Sequence, residues 1–235
     1  MREKLKNEFL GWKKIEVLWL LIACVVITAL SIYWGDTLMG IISATTGVAC
    51  VVCTAKGKLS AYVFGLVNCV LYAIIAFKAK YYGEVCLNIL YYAPLQFYGF
   101  YVWQKNMNNE THEVNKKRMT NKLRLILAAV VIIATVAYGY FLDILGGELP
   151  YVDALSTVVS VVAMIISIKM YTEQWALWIV VNVVTVIMWC VAFINGSDSV
   201  ATLLMWMVYL LNSVFAFIKW KKETEGTKTV NVLRG

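Results

Sequence analysis

Trp175-Ala176-Leu177-Trp178-Ile179-Val180-Val181-Asn182 opens a run that stays apolar through Phe193. Wound as a helix, a run of that length crosses a bilayer. Trp175, Trp178 and Asn182 then stand at i, i+3 and i+7 and share one face. Asn182 lies near mid-depth, where a carboxamide without a partner is costly. Two indoles leading to an amide make a slot for a flat, polar ligand. The plain alternative is two interfacial tryptophans and an asparagine that ties helices together. The octapeptide alone favours that alternative; the rest of the chain reverses the preference.

Of the 235 residues, 61% are hydrophobic, and the mean hydropathy is +0.73. Soluble domains are roughly 45–50% apolar. Long apolar runs recur along the whole length without period-2 alternation. The fold class is therefore an all-α, multi-pass membrane protein embedded in a lipid bilayer, not a β-barrel. The net charge of +7 is a membrane orientation signal rather than a nucleic-acid footprint, because the basic residues cluster at one side. The six cysteines, Cys24, Cys50, Cys53, Cys69, Cys86 and Cys190, lie within apolar segments. They read as small packing residues, including the Cys50-x-x-Cys53 pair. The single His112 is in a polar loop, so no metal site is built from histidines. The first apolar run, Val17–Trp34, is too long for a signal peptide and lacks a small-x-small cleavage site, so it reads as a retained span.

Eight spans are predicted: Val17–Trp34, Thr37–Ala55, Leu59–Phe77, Glu84–Trp103, Arg124–Leu142, Tyr151–Met170, Trp175–Ile194 and Val200–Lys219. The loops are short except for the charged Gln104–Leu123, which halves the protein. Of the 21 basic residues, only Lys78 and Lys80 fall on one side; the rest, from Arg2 to Arg234, fall on the other. Both termini and the central loop are then cytoplasmic, which needs an even number of spans. Thr224–Gly235 reads as a mobile tail.

An internal repeat organises these spans. Phe64 lies four residues before Asn68, as Trp178 does before Asn182; Tyr92 lies eleven before Trp103, as Tyr209 does before Trp220. A basic end, Trp103-Gln104-Lys105 or Trp220-Lys221-Lys222, follows each. The expected segments are an N-terminal tail and extra helix (1–36), a first three-helix repeat (37–103), the loop and a linker helix (104–150), a second repeat (151–220) and a tail (221–235). Four spans separate equivalent positions, so the repeats are parallel, a transporter plan with a mid-membrane site between them.

Polar residues at mid-depth mark the candidate site. They are Asn68 and Asn182; Asn88, Tyr92 and Gln96 on one stripe with Gly99 and Trp103; and Tyr209 with Asn212 at i and i+3. All are amides or phenols. Pro94, between the Asn88 and Gln96 turns, is expected to kink its span and free a carbonyl. No Asp, Glu, Lys or Arg stands at mid-span, which argues for passive transport. Acidic pairs for metal-assisted lipid chemistry, GxSxG and HExxH are all missing, so no enzyme and no cofactor is expected. A neutral box of amides and aromatics suits a flat cationic ring bearing a polar sugar, with about 0.5–2 kcal/mol of cation–π attraction. On physics alone, other neutral polar solutes, sugars included, fit as well.

At Trp175-x-x-Trp178-x-x-x-Asn182, at Pro94-Leu95-Gln96-Phe97-Tyr98-Gly99-Phe100-Tyr101-Val102-Trp103, and in its duplicated core, the chain resembles the PnuC family of vitamin B3 transporters. The resemblance covers about Thr37 to Lys222. It implies uptake of nicotinamide riboside by facilitated diffusion, a homotrimer in a bacterial inner membrane, cytoplasmic phosphorylation trapping the substrate, and a fold related to the SWEET sugar transporters. It implies that Trp175, Trp178, Asn182 and Gln96 line the pocket. Asn88, Tyr92, Tyr209, Asn212 and Asn68 are added from depth and helical face. The span Val17–Trp34 departs from a seven-span core. Two alternatives stand beside this reading: a uniporter of the same fold for a sugar or another B vitamin, and a receptor or scaffold that carries no solute.

Overall fold

The computed structural model describes residues 10–78, 82–146, 150–194 and 200–233, together with Glu8 and Gly196. Arg2, Lys4, Lys6, Lys80 and Arg234, part of the charge pattern above, lie outside the described residues. The helices are α1 (Lys14–Tyr33), α2 (Leu38–Lys56), α3 (Ser60–Lys78), a composite α4, α5 (Asn121–Ile144), α6 (Pro150–Ile168), α7 (Gln174–Ile194) and α8 (Val200–Leu233). The composite α4 joins α-helical Tyr82–Cys86, π-helical Leu87–Tyr92 and α-helical Ala93–Lys105. Each predicted span has its helix. Seven of them are long and apolar enough to cross a membrane as unbroken helices; α4 reaches that length only through its joined parts.

The break in α4 differs from the expected kink at Pro94. Proline has no N–H, and its ring crowds the carbonyl four residues back. Here the turn before it widens, and the Ala93 N–H bonds the Asn88 carbonyl, five residues back. The extra residue of a π turn moves the crowded carbonyl aside, so the irregularity sits upstream of the proline. The other difference is at the end. Thr224 was expected in a mobile tail, yet α8 runs on to Leu233. The Thr224 hydroxyl donates back to the Trp220 carbonyl at 2.8 Å.

Local signals set the helix ends. The Thr37 hydroxyl caps α2 by accepting the Gly40 N–H at 3.1 Å, and Gly57 closes it in the left-handed region at φ 84°. Thr120 caps α5 through the Leu123 N–H at 3.3 Å, and Pro150 sits at the first position of α6, where its missing N–H costs nothing. The start of α8 is capped from elsewhere in the chain: the Asp36 carboxylate accepts the Ala201 N–H at 2.7 Å. An anion there also meets the positive end of the helix. Asp36→Ala should therefore lower stability by about 1 kcal/mol, read as a drop in unfolding midpoint in detergent. Asp36→Asn, which keeps an acceptor, should lose less; equal losses would assign the effect to packing.

The chain forms two compact units, one holding residues up to 115 together with 185–212, the other 116–184 together with 213–235. In the first unit the core joins Ala44, Val48 and Val52 of α2, Tyr72, Ile75 and Ala76 of α3, Trp189 of α7, and Ala201, Met205 and Tyr209 of α8. Small residues on α2, Gly40, Ser43, Ala44 and Gly47, form its buried face. At the basic end, the Lys56 ammonium lies 2.8 Å from Glu16 and 2.9 Å from Glu113. Lys58 is fully buried and donates to the His112 carbonyl at 2.8 Å; burial pushes its ammonium below the usual lysine range. The central loop is ordered here: Val114 N–H donates to the Gly57 carbonyl at 2.9 Å.

In the second unit, Gly139 of α5 faces the Tyr151 ring of α6, and a methyl group at Gly139 would overlap that ring. The loop segment from Lys116 joins the turn after α6: Lys117 N–H donates to the Met170 carbonyl at 2.8 Å, and Thr172 N–H to the Lys117 carbonyl at 2.9 Å. Arg124 meets Glu173 at 2.6 Å, Arg118 meets Glu225 at 2.6 Å, and Lys116 pairs with Glu223.

Candidate functional site

In the first unit, Asn68 is the hub. Its side-chain N–H donates to the Ser43 carbonyl at 2.8 Å, and its oxygen accepts from the Tyr209 hydroxyl at 3.4 Å. Gly47 makes this junction fit. A Cβ there would overlap the Tyr209 hydroxyl and come within 2.7 Å of the Asn68 amide and 2.8 Å of the Met205 sulfur. Tyr209 also stands edge-on to Trp206, with ring centroids 5.1 Å apart. Trp206 in turn meets Tyr72 at 5.9 Å. The Trp206 indole N–H is buried without a partner among the described residues. The result is a neutral buried cluster of three aromatic rings, with an amide bonded to one phenol of the cluster.

Gln96 is buried beside α3, its amide against Gly65, where an added Cβ would come within 2.8 Å. Its hydrogen bond among the described residues is a long one, to the Cys69 sulfur at 3.7 Å. Sulfur is a weak acceptor, so most of the hydrogen-bonding capacity of this amide is uncommitted. Asn88 is buried in the π turn and bonds back to the Glu84 carbonyl at 2.8 Å. Tyr92 is half-buried with its ring 5.5 Å from that of Tyr91. Asn212 donates to the Val51 carbonyl at 3.0 Å. The first unit thus brings Asn68 and Tyr209 together, and seats Asn212 and Asn88 on backbone carbonyls instead.

In the second unit, the Asn182 amide donates to the Ser213 hydroxyl at 2.9 Å, both side chains buried. Trp175 is buried edge-on against Trp220, centroids 5.7 Å apart and planes at 79°. Trp178 is half-buried on the same helix. The Trp175 indole N–H has no partner among the described residues, nor has either amide atom of the fully buried Gln174. An orphaned carboxamide of this kind costs roughly 2–7 kcal/mol in an apolar setting.

The family described as nicotinamide mononucleotide transporter has a model that matches residues 37–222. The chain belongs to that family. The match begins at the residue that caps α2. A relative from Neisseria mucosa, named nicotinamide riboside transporter PnuC, is 42% identical over 219 residues, 91% of this chain and 83% of its own. A relative of the same name from Haemophilus influenzae is 34% identical, covering 95% of this chain and 97% of its own. The fold is similar to a crystal structure of the vitamin B3 transporter PnuC, with a TM-score of 0.85, 41% identity, and coverage of 94% of this chain and 97% of that one. These relatives are transporters, and family membership makes this chain a membrane transport protein rather than an enzyme.

Sequence reasoning missed Ser213, Trp206, Gly65 and Gln174. Ser213 follows Asn212 directly and was legible as a polar residue in an apolar span. Gly65, four residues before Cys69, carried a weaker signal, a small residue facing a long one. Trp206 and Gln174 carried none: a tryptophan in a span, or a glutamine at the start of one, is ordinary.

Proposed function

We propose that this chain carries nicotinamide riboside across a bacterial inner membrane by facilitated diffusion, with both termini cytoplasmic. The observation that carries this reading is the 41–42% identity to proteins named as vitamin B3 and nicotinamide riboside transporters over more than nine-tenths of the chain. Trp175, Trp178 and Asn182, together with Gln96, carry recognition; Asn68, Asn88, Tyr92, Tyr209 and Asn212 support it. Uncommitted amide capacity at Gln96 and the buried Asn182–Ser213 pair support these assignments. The working form is a homotrimer with a fold of SWEET type, as the family resemblance implies.

The family description names the mononucleotide, whereas the relatives are named for the riboside. The two differ by a phosphate. The basic residues stand at the span ends, and no Lys or Arg lies at mid-span. A phosphate taken to mid-depth without a cation is very unfavourable, which supports the riboside.

The test is uptake of labelled nicotinamide riboside into proteoliposomes, with and without a proton or sodium gradient. Equilibrating flux in both conditions is expected. Accumulation above equilibrium on imposing a gradient would overturn passive transport and direct attention to Asp153 and Glu84. Asn182→Ala should weaken binding about tenfold or more and leave Ser213 without its partner. Gln96→Ala should weaken binding with little loss of folding. Wild-type affinity in both variants would remove these residues from the site.

A further inference from the structure

Gln174 is the first residue of α7 and is fully buried. Both its amide nitrogen and its amide oxygen are without a partner among the described residues. Other buried orphan atoms are single groups, such as an indole N–H or a hydroxyl. Gln174 alone among the described residues leaves two separate polar atoms of one side chain idle, a donor nitrogen and an acceptor oxygen. The first N–H groups of α7 already have backbone partners, Gln174 on the Tyr171 carbonyl, Trp175 on Thr172 and Ala176 on Glu173, each at 3.2 Å, so the side chain is not needed as a cap. Its neighbour Trp175 is buried with its indole N–H idle as well. Methionine would fill the same space without any unsatisfied group. A ligand that meets this carboxamide in part of the working cycle would account for it.

A side-by-side donor and acceptor is matched by another primary carboxamide, which offers the same two groups in reverse. Eight residues of helix separate Gln174 from Asn182, about 12 Å along the axis, so a second contact point lies well below the first on the same helix. Resting on the transport reading given above, we propose that Gln174 is a specificity-determining residue that takes the carboxamide group of the substrate at the basic end of α7.

The experiment compares Gln174→Met with wild type in proteoliposomes. Its two probes are nicotinamide riboside and N-ribosylpyridinium, which lacks the carboxamide. Wild type should prefer the amide-bearing riboside. Gln174→Met should lose about tenfold of that preference, mainly through poorer handling of nicotinamide riboside. The unfolding midpoint of the substrate-free variant should be equal to or above that of wild type, because two idle polar groups have been removed. A lower midpoint or a failure to fold would show that the carboxamide serves the structure, and would overturn the proposal. An unchanged preference in a protein that still carries the riboside would overturn the role of Gln174 alone. Absence of riboside flux in wild type would take down the transport reading and this inference together.

Discussion

Lys56→Ala should destabilise the protein by about 3–5 kcal/mol, the range for removing one partner of a buried ion pair. The Lys56 ammonium is almost wholly enclosed, with 4% of its side chain exposed, and two carboxylates face it at 2.8 and 2.9 Å. Those carboxylates come from different parts of the first unit. Glu16 is in the first turn of α1, where it also accepts the Lys13 N–H at 3.0 Å. Glu113 is in the central loop, next to Val114, whose N–H bonds the Gly57 carbonyl. Without the ammonium, two poorly solvated like charges remain close together and repel. The measurement is the unfolding midpoint in detergent at neutral pH. A triple variant, Lys56→Met with Glu16→Gln and Glu113→Gln, should recover most of the loss, because neutral amides need no counter-charge. A loss in Lys56→Ala below about 1 kcal/mol would place this triad with solvated surface pairs.

Gly47→Ala is expected to be nearly as damaging to folding and more damaging to transport. The added methyl overlaps the Tyr209 hydroxyl and crowds Asn68 and Met205. Methionine can swing away, since its chain is flexible. The tyrosine is rigid and buried among Trp206 and the core, so its hydroxyl can leave only by moving the ring. Overpacking of this kind costs about 1–3 kcal/mol. The Asn68–Tyr209 bond breaks at the same time, leaving two polar groups in an apolar surround. Uptake should fall sharply at temperatures where the variant remains folded. Tyr209→Phe added to Gly47→Ala should recover stability but not uptake. Normal uptake in Gly47→Ala would show that this junction has no part in the path.

The helices were legible because the bilayer makes the demand uniform: a long apolar run has one stable answer. Only the end of α8 escaped, since the residues after Lys219 lose the apolar signal while the helix continues. The polar residues were legible by depth, because an amide in a span needs a reason. Their partners were not. Asn68 and Tyr209 were both marked, yet nothing in the spacing said that they meet each other while Asn212 turns to the Val51 carbonyl. Ser43 and Gly47 were visible as small residues that could pack any helix pair; only the packed structure shows what they make room for. Pro94 announced an irregular fourth span, but the sequence could not say that the strain would be taken up as a wider turn before it. Gln174 was silent for a different reason. Burial of a helix-end glutamine is decided by neighbours distant in sequence.

The π turn at Leu87–Tyr92 also governs how the fourth helix can change between relatives. A π turn is an α-helical turn holding one residue too many. Deleting a single residue there would let the ladder close as ordinary α-helix. The residues on either side would keep their facing relative to Gln96, because the π turn already absorbs the extra residue as a local bulge. A deletion inside this turn therefore shortens the chain without rotating it, whereas the same deletion in an α-helical turn rotates one flank by about 100° against the other. Two family members differing by one residue within Leu87–Tyr92 would present the same side chains beside Gln96. A gap elsewhere in this helix would change them, and a substrate range that diverged for that reason would have its cause in backbone register.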